Sequence, residues 1–128
     1  MLLRHRLAFT LIELLVVIVI VGIIAAIAIP KFSNTKGKAN AAALRSDLHG
    51  LAVAQEAYFY EKHVYAGDTS ELNFSTSPGV TISMTAPPTG GWVATATHPL
   101  AVPRQCTLFY GNMTPPPPAQ VEGVPACQ

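Results

Sequence analysis

The stretch Phe9 to Pro30 reads FTLIELLVVIVIVGIIAAIAIP, and it decides the architecture. Glu13 is its one charge; from Leu14 to Ile29 there is no charged or strongly polar side chain. As a helix, Phe9 to Ile29 spans roughly 31 Å at about 1.5 Å per residue, the thickness of one bilayer crossing. A secretory signal peptide is the rival: Arg4 and Arg6 precede the apolar run, and the small residues Ala25, Ala26 and Ala28 stand near its end. Two features oppose it. Glu13 sits inside the run, where a signal peptide gains nothing from an acid, and the residues after Pro30 continue a helical pattern.

Composition agrees with a small membrane-attached protein. The chain has 128 residues, enough for one small folded unit, with 50% apolar residues and only 12% charged ones. A formal net charge of +1 gives no electrostatic footprint for nucleic acid. Nine glycines and eleven prolines fall mostly in the second half, which suits short strands and loops there. The two cysteines, Cys106 and Cys127, fit no zinc spacing, and the four histidines are scattered, so no metal site is expected. A Cys106–Cys127 disulfide is the expectation; it closes a loop of about 20 residues, contributes roughly 3 kcal/mol on chain-entropy grounds, and implies an oxidising compartment.

Burying the Glu13 carboxylate at membrane depth costs on the order of 2.5–3.5 kcal/mol on insertion scales, so it requires an interface or a cationic partner. Leu7-Ala8-Phe9-Thr10-Leu11-Ile12-Glu13-Leu14, followed by the apolar run and Pro30, resembles the N-terminus of the type IV pilins and related pseudopilins. The resemblance covers about residues 1 to 60. It implies that residues 1–8 are a leader, that a prepilin peptidase cuts between Ala8 and Phe9, and that Phe9 is then N-methylated. The family usually has Gly before the cut where this chain has Ala8, the smallest change available. Glu13 becomes the fifth residue of the mature chain, flanked by Thr10 and Leu11 in the assembly segment. By resemblance its carboxylate attracts the terminal amine of a neighbouring subunit, so that two buried charges become a buried pair.

After Pro30 the apolar periodicity continues through Leu44, Leu48, Leu51, Gln55 and Tyr58, a stripe at three- and four-residue steps on a helix to about residue 62. Pro30 removes one backbone hydrogen bond and is expected to bend the helix. Gly37 and Gly50 each weaken it by roughly 1 kcal/mol relative to Ala. Gly22 and Ala26 form a small-xxx-small pair that lets helices approach closely. Lys31, Lys36 and Lys38 sit where headgroup anchors are expected. Positive charges do not orient the span: Arg4 and Arg6 on one side face Lys31, Lys36, Lys38 and Arg45 on the other. The disulfide and the resemblance place the C-terminal half outside.

From residue 79 the period becomes two. Val80, Ile82 and Met84, then Trp92, Ala94 and Ala96, then Cys106, Leu108 and Tyr110 alternate with mostly polar neighbours, which predicts three half-buried antiparallel strands. Pro115 to Pro118 exclude the tail from the sheet, leaving Cys127 to tie it back. The expected fold is α+β: a leader (1–8), a transmembrane and assembly helix (9–30), and a head (31–128). The head comprises an amphipathic helix (31–62), a connecting loop (63–78), and a sheet with a disulfide-bounded loop (79–128).

No Ser, His and acid fall at an informative spacing, so no catalytic role and no cofactor is expected. The resemblance implies a structural subunit of a type IV pilus, held in the inner membrane as a precursor. It is then polymerised by inner-membrane assembly machinery into a helical homo-oligomeric surface fibre for adhesion, motility or DNA uptake. Its expected partners are the prepilin peptidase, other copies of itself, that machinery and the membrane; nucleic acid is not among them. A minor pilin or a type II secretion pseudopilin is the near alternative, the latter opposed by the scarcity of acidic calcium ligands after Glu71. A non-polymerising membrane-anchored binding module, or a secreted domain cut near residue 28, is the alternative of another class.

Overall fold

The computed structural model describes residues 9–87 and 90–128; the leader with Ala8, and Pro88 and Thr89 in the first interstrand break, lie outside the described residues. The chain divides into two compact units, Met1–Ser33 and Asn34–Gln128.

In the first unit, helix α1 (Leu11–Lys62) begins and runs through Pro30 without interruption. Its residues from Leu11 to Ile29 are solvent-exposed in the single chain apart from the half-buried Ala25. The helix is long and apolar enough to cross a membrane. An apolar helix with no buried face has no core of its own, and only lipid or other helices can cover it.

In the second unit, the same helix turns one stripe inward. Gly37, Ala41, Leu44, Asp47, Leu48, Leu51, Ala52 and Gln55 are buried, at the steps the sequence predicts. The helix stops where His63 takes a left-handed conformation (φ 58°) and its N–H donates to the Phe59 carbonyl at 2.8 Å. Four strands follow, β1 (Thr81–Thr85), β2 (Gly91–Thr97), β3 (Gln105–Gly111) and β4 (Ala126–Cys127), paired antiparallel in the order β1-β2-β3-β4. Ile82, Met84, Trp92, Ala94, Ala96, Cys106 and Leu108 form the inner face and pack with Leu44, Leu48 and Leu51. Each fully buried leucine there contributes about 1.5–3 kcal/mol of transfer free energy. The fold is therefore α+β, as the sequence predicts.

Three expectations change. The connecting loop 63–78 contains a 3-10 turn, Thr69–Glu71, whose N-cap Asp68 accepts the Ser70 N–H at 2.7 Å. That bond, with help from the Ser70 side chain, holds the Asp68 carboxyl below the usual range. The loop is stapled to α1 by polar side chains. Asp47 accepts both the N–H and the hydroxyl of Ser77 at 2.8 Å, and the Gln55 amide exchanges two 2.9 Å bonds with the backbone of Ala66.

The second change is that β3 is buried on both faces. Thr107 and Phe109 are buried outside the cluster on α1; Thr107 Oγ1 accepts from the Ala119 N–H (3.2 Å) and donates to the Pro116 carbonyl (3.4 Å) of the C-terminal tail, and the Gly123 N–H donates to the Phe109 carbonyl at 3.0 Å. The third is that the tail does join the sheet. Ala126 and Cys127 pair with Thr107 and Cys106, and Gln128 and Gln105 exchange backbone bonds. Prolines bar residues 115–118 from pairing, but the last three residues carry free N–H groups.

Gly37 also does more than weaken the helix. A Cβ there would lie 3.0 Å from Val102, whose N–H donates to the Gly37 carbonyl at 3.0 Å, so the missing side chain lets the 98–103 loop dock on α1.

Candidate assembly site

At the start of α1 the backbone needs partners for its first N–H groups. Thr10 supplies them. Its hydroxyl accepts the Glu13 N–H at 3.3 Å, while Glu13 Oε2 accepts the Thr10 N–H at 2.8 Å and the Thr10 hydroxyl at 2.7 Å. This is a reciprocal capping box of the form Thr-x-x-Glu, and it fixes why the helix begins at Leu11 instead of Phe9. An acid in the first turn also faces the positive end of the helix dipole. The Thr10-x-x-Glu13 spacing is legible in the sequence, but a reading by resemblance assigns Glu13 only an intermolecular task.

Phe9 precedes the cap and is exposed, as are Leu11 and Ile12. Phe9, Ile12, Val16 and Val17 surround Glu13 with an open apolar hollow of about 370 Å³. The site thus holds one carboxylate, placed at the first turn of the helix and bordered by uncovered apolar side chains. Such an arrangement can accept a cation and pack another apolar helix beside it.

Residues 3–29 match the prokaryotic N-terminal methylation motif. Over 99 residues the chain is 31% identical to the type IV wide pilus major component PilA4 of Thermus thermophilus, an alignment covering 74% of this chain and 76% of that protein. The chain belongs to the type IV pilin and pseudopilin family. It is 40% identical over 76 residues to the type IV major pilin protein PilA of Myxococcus xanthus, covering 59% of this chain and 34% of that one. It is 34% identical over 62 residues to the type II secretion system core protein G of Pseudomonas aeruginosa, covering 48% and 44%. The matched region thus spans about a third of the Myxococcus pilin and under half of the Pseudomonas core protein.

Within this pilin-family chain the sequence-predicted residues fall as follows. Phe9, Thr10, Leu11 and Glu13 are brought together at the start of α1, and Ala8 lies outside the described residues. Pro30 is inside α1, and Cys106 and Cys127 are disulfide-bonded. Among the described residues no group of three or more His, Cys, Asp or Glu side chains could hold a metal ion. On the head, a hollow of about 400 Å³ holds Tyr58 and Glu71. The Tyr58 hydroxyl donates to Glu71 at 3.0 Å, and losing that proton beside a carboxylate is disfavoured, which raises the phenol above its ordinary range. Asp47, Gln55 and Arg45 make hydrogen bonds in the head that the sequence does not disclose, because their partners lie 11 to 82 residues away.

Proposed function

We propose that the chain is a structural subunit of a type IV pilus, without enzymatic activity. It is made as an inner-membrane precursor, cut by a prepilin peptidase between Ala8 and Phe9, methylated on Phe9 and polymerised through α1. The observation that carries this is the uncovered apolar helix from Leu11 to Ile29 with a carboxylate in its first turn. Lipid covers such a surface before assembly; neighbouring copies cover it afterwards. The family's methylation motif and the likeness to two major pilus components support the same end point.

In the mature chain Glu13 keeps the helix capped while its charge draws the Phe9 amine of an adjacent subunit, which sets the axial register. Gly22, around which a Cβ would meet nothing within 4 Å in the single chain, gives a neighbouring helix room to approach. Pro30 bends the helix where it leaves the apolar segment. Lys36 and Lys38 face the headgroups of the bilayer before assembly.

Glu13→Val tests the register mechanism: membrane insertion should persist while fibres in the sheared surface fraction fall at least tenfold. Normal piliation of that variant would overturn it. The similarity to two type II secretion core proteins favours one second reading, a secretion pseudopilin. Abundant fibres at natural expression support the pilus subunit, and short fibres only on overexpression support the pseudopilin.

A further inference from the structure

The two cysteines of the disulfide differ in burial and in the charge beside them. Cys106 lies on β3, between β2 and the tail, with 0% of its surface exposed. Cys127 lies half-buried on a two-residue strand at the edge of the sheet. Arg45, an exposed residue of α1, donates its Nε–H to Cys127 Sγ at 3.2 Å. A guanidinium beside a sulfur favours the thiolate, and the thiolate is the nucleophile.

We propose that Cys127 is the sulfur through which the folded head exchanges with an external thiol–disulfide catalyst, with Arg45 as the positioning residue that activates it. The partner is a dithiol oxidase whose own active disulfide is accessible. In the reduced head, the Cys127 thiolate attacks one sulfur of the oxidase disulfide. A mixed disulfide forms, and the second oxidase sulfur leaves as a thiolate. Cys106 then loses its proton and attacks Cys127 Sγ from within the fold. The Cys106–Cys127 bond forms, and the first oxidase sulfur departs. Two electrons pass to the oxidase, which ends as a dithiol, and the protons of Cys106 and Cys127 go to it or to water.

The reverse order is sterically hindered. An external sulfur must approach in line with the bond it breaks, and β2, α1 and the tail enclose Cys106. By microscopic reversibility, reduction also passes through Cys127, with the buried Cys106 as leaving group. Attack depends on access and on the charge beside the sulfur, and Cys127 is both the less buried cysteine and the one that Arg45 touches. The proposal stands whether or not the chain polymerises.

The test uses the full chain, reduced, in detergent micelles, mixed with a thioredoxin-fold oxidase in its disulfide form. Cys106→Ser should capture the oxidase through Cys127 about tenfold faster than Cys127→Ser captures it through Cys106. Arg45→Gln in the Cys106→Ser background should slow capture about threefold or more, with Trp92 fluorescence unchanged. Where a serine variant does not fold, the wild-type chain quenched early and mapped by peptide mass should carry the oxidase on Cys127. Equal capture through the two cysteines in folded protein, or no effect of Arg45→Gln, overturns the proposal.

Discussion

Gln55 is the most revealing side chain in the head to perturb. It lies on the apolar stripe of α1 with 0% of its surface exposed, and its amide both donates to the Ala66 carbonyl and accepts the Ala66 N–H. Ala66 is itself fully buried. Gln55→Leu keeps the volume and adds apolar character, so on hydrophobicity alone it would stabilise. It also leaves a buried N–H and a buried C=O without their partner, at about 1–3 kcal/mol each. Offset by about 1–2 kcal/mol from apolar replacement, the net loss is about 3 kcal/mol. For a unit the size of Asn34–Gln128 that lowers Tm by roughly 12–24 °C. Trp92 is the only tryptophan and is fully buried, so its fluorescence during heating or urea titration in micelles reports the head and not the apolar helix. A loss below about 0.5 kcal/mol, or a gain, would refute the view that Gln55 is a staple for the connecting loop.

Leu48→Ala removes a fully buried side chain from the helix–sheet core and should cost about 2–5 kcal/mol by the same fluorescence assay, with the disulfide still formed. Thr10→Ala should cost the first turn of α1 about 1 kcal/mol, read as faster amide exchange at Glu13, while Thr10→Ser restores protection. The raised Tyr58 phenol contributes stability that is fully present below its unfolded pKa and is lost as pH rises through the folded one. Phenolate absorbance should therefore show the Tyr58 and Tyr65 phenols titrating late in alkali, and Tyr58→Phe should remove one of these components and weaken the alkaline sensitivity. The lowered Asp68 carboxyl acts in the opposite window, its stabilisation present above the unfolded pKa and lost as acid takes the pH through the folded one. Asp68→Asn should flatten that acid limb in urea midpoints measured against pH.

What the sequence discloses here is what is periodic and local. A run without charge from Leu14 to Ile29 identifies a span because nothing else makes that run soluble. The Leu44, Leu48 and Leu51 stripe and the Trp92, Ala94 and Ala96 alternation identify inner faces because helix and strand geometry turn spacing into direction. What stays hidden depends on distant chain. Thr107 looks like an outward residue of a half-buried strand until the proline-rich tail bonds to it. Gly37 looks like a weak point until Val102 docks on it, and Gln55 looks like a polar interruption of an apolar face until Ala66 arrives. The assembly site divides in the same way. Resemblance supplies Glu13 and Phe9, whereas the Thr10 hydroxyl and the Glu13 carboxylate closing on each other come from local capping chemistry that the resemblance does not mention.

The central claim is that this chain leaves the membrane as a processed fibre subunit. Its most direct test is the intact mass and N-terminal residue of the protein from sheared surface material of its native host, compared with the membrane fraction. The account predicts N-methyl-Phe9 at the terminus of the sheared protein, with Cys106 and Cys127 joined. Protein that keeps Met1 and occurs only in membranes would contradict it and leave a membrane-anchored module that never polymerises.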